Sequence, residues 1–297
     1  MLRQRPKSSA SSLPLRGDWK AYPHAVHNGD AAPKGQGKVG VKTVADTPQM
    51  AEIETTQGFV LGRRLRLAQP RRGYRAGMDA ALLAAAVALK PSARALEIGC
   101  GAGGALLQAA ARNPQSQLLG LERDRVALAL CQTNIAANAL GERTSAMAGE
   151  VGAGFRALGQ PRFDAAFANP PFFDDPAALR GPSPERAGAW LADDGLGAWL
   201  TFLVDAVKDG GQVVMIHRAD RLGDILAGLA PRAGSVRIRP VQPHADEPAK
   251  RVLVKAVRGG RAPLVLLPPL VLHARGGAKH TAEADAILQG EAALDWG

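Results

Sequence analysis

Ala95-Leu96-Glu97-Ile98-Gly99-Cys100-Gly101-Ala102-Gly103-Gly104 is the stretch that decides the fold. An apolar run beginning at Arg94 reads as a strand with an acid, Glu97, near its end, and closely spaced glycines follow. The helical run from Ala105 to Arg112 comes next. Strand, glycine turn and helix in that order are the start of an open α/β sheet whose ligand approaches the backbone at the turn. Literal matching gives Gly99-x-Gly101-x-x-Gly104, the spacing of a dinucleotide site, so the glycines alone do not name the ligand.

Outward from the turn, strands and helices alternate. Residues 117–121 form a second strand, Asp124 opens an amphipathic run to Asn138, residues 144–148 a third strand and 163–168 a buried one. A helix over 195–208, a glycine stop at Gly210-Gly211 and a strand over 212–216 make a further unit, with residues 218–229 helical. Residues 235–241 and 251–257 read as paired strands that close the sheet antiparallel. Upstream, the alternation over 59–67 predicts a short hairpin with arginines on one face, and Asp79 is placed to cap a helix over 80–89 that Pro91 ends. The alternation implies a mostly parallel sheet with right-handed crossovers.

The composition sets limits. With 297 residues and 46% hydrophobic content, the chain is long enough for one sizeable core. Its apolar runs are too short, or too broken by proline, to span a bilayer, so no membrane association is expected. Two cysteines, Cys100 and Cys131, without metal-type spacing or a signal peptide, predict no metal site and a reducing cytoplasm. Cys100, among the glycines, reads as a small filler and not as a nucleophile.

The net charge of +10 is concentrated at one end. Residues 1–50 hold eight basic side chains against three acidic ones, and residues 51–75 hold six arginines, Arg63, Arg64, Arg66, Arg71, Arg72 and Arg75, against two glutamates. The rest of the chain is close to neutral. The first fifty residues are rich in Ser, Gly, Pro and Lys without apolar period, as in a disordered basic tail; their composition also suits a transit peptide, or a stretch upstream of a start at Met50. The expected organisation is a tail over 1–50, a hairpin and helix over 51–92 belonging to the catalytic domain, and the main domain over 93–297.

A second motif, Asn169-Pro170-Pro171-Phe172, follows the strand at 163–168. Two prolines neither continue a ladder nor enter a helix interior, so the chain turns there and holds out an amide and an aromatic ring. Asn and Pro are also ordinary turn residues, and alone the tetrapeptide is ambiguous. Paired with Glu97-x-Gly99-x-Gly101-x-Gly103, it resembles the S-adenosylmethionine-dependent methyltransferases that act on exocyclic or amide nitrogens.

The likeness extends to residues 71–79, 217–222, 248–254 and 267–273, and over about residues 55–290 the chain is similar to the bacterial valine-tRNA adenine methyltransferase family. That resemblance implies a class I, Rossmann-like sheet of seven strands and S-adenosylmethionine as cofactor. It assigns the cofactor to Tyr74, Gly77, Asp79, Glu97, Gly99, Gly101, Gly103, Glu122, Arg123, Glu150, Val151 and Asn169. Asn169, Pro170, Pro171 and Phe172 are then the catalytic group, and the arginines between 63 and 75 the RNA contacts. The implied partner is RNA, in particular tRNA, with the enzyme a monomer or weak dimer. Methylation of a protein glutamine amide, or of a guanine amine in RNA, are the alternatives, because the same turn suits any planar NH₂ group.

Overall fold

The computed structural model describes residues 54–71, 75–172, 195–276 and 278–297. All of them belong to the compact unit Met50–Gly297; the tail expected over 1–50 lies outside the described residues.

The glycine stretch forms as read: strand β3 (Arg94–Ile98) is followed by a turn and a helix, Gly104–Arg112. Including the hairpin β1 (Thr55–Val60) and β2 (Leu65–Pro70), the strands that follow are β4 (Gln117–Glu122), β5 (Thr144–Ala148), β6 (Phe163–Ala168), β7 (Val207–Arg218), β8 (Ala233–Gln242) and β9 (Arg251–Arg258). Helices are α1 (Met78–Ala86), α2 (Gly104–Arg112), α3 (Arg125–Ala137), α4 (Leu196–Ala206), α5 (Leu222–Leu229) and α6 (Ala282–Gln289).

The seven main strands run in the order β8-β9-β7-β6-β3-β4-β5, with β9 antiparallel to both of its neighbours and the others parallel. Two further strands, β10 (Val265–Leu266) and β11 (Leu270–Val271), each add two residues to β8. Pro268 and Pro269 lie between them, and proline cannot donate to a ladder, so the segment pairs in short pieces. The chain winds one way from β3 through β5, then returns to β6 on the other side of β3. That reversal opens a crevice at the carboxyl ends of β3 and β6, where such sheets place their ligands. Ile98 pairs with Ala168, so Gly99 and Asn169 leave the sheet side by side.

The core forms on both faces of the sheet. Leu82, Leu83, Leu106 and Leu107 pack on one side, while Leu96, Phe163, Leu200 and Phe202 pack on the other. Phe155 lies edge-on to both Phe163 and Phe202. Each large apolar side chain removed from water contributes about 1.5–3 kcal/mol.

Three expectations are corrected here. The glycine stop at 210–211 does not separate two elements: the register passes from Phe163↔Val207 to Ala165↔Gln212, so residues 208–211 bulge out of one strand, with Gly210 at φ +76°. The predicted helix over 218–229 begins later, since Arg218 still belongs to β7 and Ala219–Arg221 is a 3₁₀ turn. Asp79 does not cap α1. Gly77 holds the cap position without a side-chain bond, and Asp79, in the first turn, pairs with Arg251 at 3.0 Å.

The hairpin is fastened by two asparagines that imitate a neighbouring strand. Asn134 Oδ1 accepts from the Ala68 amide at 2.8 Å while its Nδ2 donates to the Ala68 carbonyl at 2.9 Å; Asn138 does the same with Arg66, both at 2.8 Å. A side-chain amide carries one donor face and one acceptor face, as a peptide unit does. At the other end, Trp296 donates to the Ala86 carbonyl at 2.9 Å.

Candidate active site

At the end of β3 the backbone takes left-handed angles at Gly99 (φ +69°), Gly101 (φ +53°) and Gly103 (φ +91°). A side chain is strained there on backbone grounds alone. The space around each differs. A Cβ on Gly99 would stand 2.7 Å from the Trp199 ring, and one on Gly103 would stand 2.3 Å from Leu107. Of the three, only Gly101 has open space around it. Close packing of protein on protein leaves no room for a side chain at Gly99 or Gly103, whereas the space beside Gly101 is open.

Two acids frame this turn. Glu122 at the end of β4 accepts the Gly101 amide on Oε2 and the Asp124 amide on Oε1, both at 2.8 Å. Glu97 is 3% exposed, and its Oε2 has no hydrogen-bond partner. Burial, then the nearby Cys131 and Glu122, raise the Glu97 carboxyl well above the usual carboxylate range, against a bond from the Leu106 amide that lowers it. Cys100 sits 3.8 Å from Cys131. That contact, together with burial, holds the Cys100 thiol well above its ordinary range, in keeping with a filler and not a nucleophile.

A cleft of about 420 Å³, its open mouth included, is lined by Gln69, Ala76, Ala80, Glu97, Gly99, Cys100, Ala102, Gly104, Ala105 and Asn169. Three predicted site residues thus meet around one space: Glu97, Gly99 and Asn169. Glu122 joins them through Gly101. A buried acid lacking a partner on one oxygen, an open backbone turn and a carboxamide across the cleft are chemically fit for the ammonium and hydroxyl groups of S-adenosylmethionine.

The other predicted residues scatter more. Gly77 is exposed before α1, Arg123 and Glu150 are exposed, and Val151 is buried in the core on the Phe163 side of the sheet. Tyr74 and Arg72 fall outside the described residues, as does the loop from Asp174 to Asp193. Arg63 and Arg64 sit in the hairpin turn and only Arg66 on the β2 strand, so the predicted single arginine face is not formed. Arg63 lies 4.6 Å over the Phe59 ring, and Arg71 pairs with Glu54 at 3.2 Å. Arg75 donates to Thr56 at 2.7 Å. Arg64 donates to the Gln289 carbonyl at 2.6 Å, which ties the hairpin to the end of α6.

Beside the Asn169 turn, Pro170 is buried while Pro171 and Phe172 are half-buried. Phe172 stands edge-to-face with His217 at 5.3 Å, and Arg251 lies 4.5 Å over its ring. His217 is 2% exposed and neither ring nitrogen makes a hydrogen bond of acceptable geometry, although the Pro171 carbonyl lies near enough to favour the charged ring. Burial and the cations Arg251 and Arg218 outweigh that and push His217 down to about 4, so it is neutral. His217, Arg251, Gln69, Trp199 and Phe59 are absent from the sequence-derived site. His217 and Arg251 lie in stretches that resemble the family, but nothing local marks them as neighbours of residue 172.

A family model, the methyltransferase small domain, matches residues 75–180. The chain is 29% identical over 199 residues to a tRNA1(Val) (adenine(37)-N6)-methyltransferase of Porphyromonas gingivalis, covering 64% of this chain and 77% of that protein. It is 30% identical over 113 residues to one from a Flavobacteriaceae bacterium, covering 38% of this chain and 47% of that protein. In three dimensions it is similar to a predicted O-methyltransferase of Agrobacterium tumefaciens, with a TM-score of 0.61 at 26% identity, over 73% of this chain and 98% of the other.

Sheet order, glycine turn and these similarities define a class I methyltransferase, an S-adenosylmethionine-dependent enzyme. Within that class, the chain is similar to bacterial valine-tRNA adenine-N6-methyltransferases, and its residues 75–180 match the methyltransferase small domain.

Proposed function

We propose that the chain methylates the exocyclic amine of an adenine in RNA, with tRNA beside the anticodon as substrate. The observation that carries this is the adjacency of Asn169 to the glycine turn, both lining the cleft that holds the unpartnered Glu97 oxygen. The curated relatives' names point to the same substrate.

S-adenosylmethionine supplies a methyl group on a positively charged sulfur. Glu97 accepts from the ammonium end and Glu122 from the ribose, each carboxylate oxygen having lone pairs beyond those its backbone donors use. Glu150 and Val151 flank the adenine, and Tyr74, Gly77 and Arg123 complete the site as the family implies. An adenine amine is a poor nucleophile because its lone pair is delocalised into the ring. If the Asn169 Oδ1 and the Pro170 carbonyl accept its two hydrogens, the nitrogen pyramidalises, and both dipoles stabilise the positive charge that develops there. Pro170 and Pro171 stiffen the turn, and Phe172 offers a face for the extruded base, a contact of about 1–3 kcal/mol in comparable sites.

For RNA binding, the exposed Arg63, Arg66 and Arg71 supply phosphate contacts, and Phe59, half exposed beneath Arg63, adds an aromatic surface for a base. Because β2 runs from these arginines to Gln69 in the cleft lining, RNA held on the hairpin reaches the reacting centre. The test is to incubate the protein with labelled S-adenosylmethionine and unmodified tRNA, then identify the labelled nucleoside. N6-methyladenosine in the anticodon loop is expected; label on a guanine amine or a glutamine side chain would sink this assignment.

A further inference from the structure

Beside the Asn169 turn, a chain of contacts links distant parts of the sequence. Asp79 in the first turn of α1 accepts from Arg251 Nε at 3.0 Å, and Arg251, at the start of β9, lies 4.5 Å over the Phe172 ring. Phe172 in turn stands edge-to-face with His217, which is buried at the end of β7. Asp79 and Arg251 are 26% and 30% exposed, so this pair is mostly withdrawn from water, unlike the surface pair Arg71–Glu54 at 64% and 75%. A second Arg251 nitrogen donates to the Lys250 carbonyl at 3.2 Å, which restrains the plane of the guanidinium.

From this geometry we infer that Asp79 and Arg251 are positioning residues of the target-amine site. Asp79 holds the guanidinium, the guanidinium and His217 hold the Phe172 ring, and the ring orients the incoming base. This rests on the function proposed above.

Two physical requirements favour the arrangement. An aromatic side chain at the end of a turn has rotamer freedom to lose, and a ring already clamped on two sides does not lose it when the base arrives. Methyl transfer also leaves positive charge on the target nitrogen, so an unneutralised Arg251 nearby would oppose the reaction. Asp79 cancels that charge, and the neutral His217 adds none. Asp79 is thereby reassigned from the cofactor side, where the family resemblance puts it, to the acceptor side.

The test compares Asp79→Asn, Asp79→Glu, Arg251→Ala, Arg251→Lys and Phe172→Leu. The affinity for S-adenosylmethionine is measured directly, and kcat and acceptor KM in steady state. Asp79→Asn and Arg251→Ala are each expected to lower kcat over acceptor KM by about tenfold while cofactor affinity stays within about twofold. Asp79→Glu and Arg251→Lys, which keep the charges, recover part of the loss. Asp79→Asn added to Phe172→Leu should cost less than the product of the two single losses, because part of the Asp79 effect acts through that ring. Weakened cofactor binding with unchanged acceptor KM, or losses that multiply in the double variant, would overturn the inference. Each assay is run on unmodified tRNA and on a cellular protein fraction. Label in protein alone would refute the RNA assignment, yet the coupling is read on whichever acceptor is labelled. Label in neither refutes both.

Discussion

The Glu122 carboxylate accepts the Gly101 amide at 2.8 Å, so the acid that ends β4 braces the one turn glycine with open space around it. Its other oxygen is occupied by the Asp124 amide, at the cap of α3. Glu122→Gln would turn an NH₂ group toward one of these backbone donors. Unfolding should cost about 1–3 kcal/mol less and S-adenosylmethionine should bind about tenfold more weakly, by thermal denaturation and by titration calorimetry.

Asn169→Ala removes a proposed acceptor of the amine hydrogens without touching the packed end of β3. Turnover should fall about 100- to 1000-fold, with a far smaller change in cofactor affinity. Near-normal turnover in a folded variant would remove Asn169 from the chemistry.

The raised Glu97 carboxyl keeps a proton to higher pH in the free protein than an ordinary carboxylate does. A cofactor ammonium beside it favours the charged form and pulls that value down, so binding should release a proton. Calorimetry at mildly acidic pH in buffers of different ionisation enthalpy checks this. The apparent binding enthalpy should vary with buffer in the wild type and cease to vary in Glu97→Gln.

His217 is pushed down to about 4 and is neutral when folded. The unfolded chain takes up that proton near pH 6.5. The sign follows from linkage: below pH 6.5 the unfolded state binds more protons, so stability present above that pH is lost as pH falls toward 4, by at most about 3 kcal/mol. Denaturant melts between pH 7 and 4 should show this loss, and His217→Gln should flatten it.

The arginines divide into two groups. Replacing Arg63, Arg66 and Arg71 together by alanine should lower the salt dependence of RNA binding, with the log-log slope reduced by about 0.7 for each phosphate that is no longer neutralised on single strands. Arg64→Ala should act on stability, because its guanidinium is spent on the Gln289 and Leu61 carbonyls. An equal change of slope in both would contradict the division.

Much of the fold was legible in the chain because its signals are local. The buried strands at 94–98 and 163–168 are mostly apolar, Asp124 caps α3 with its own side chain as its position implied, and the two prolines after Asn169 end β6 where they stand. Misread elements were those in which a distant partner overrides a local preference. Gly210-Gly211 reads as a stop, but Val207 before it and Gln212 after it both pair with β6, which carries β7 through the bulge. Asp79 reads as a cap until Arg251, 172 residues away, claims it. At the turn glycines, Trp199 and Leu107 exclude a side chain at two positions, a constraint that the local pattern does not show.

By itself, the sequence determined the order of strands and helices, the glycine turn beside an acid and the polar amide ahead of two prolines, since each depends on backbone preference and hydrophobic period over a few neighbours. Only the tertiary structure decided that Glu97 and Asn169 line one cleft and that Phe172 is held by Arg251 and His217. Those neighbours come from strands that are adjacent in the sheet but far apart along the chain, and no pattern confined to a short stretch encodes their distance.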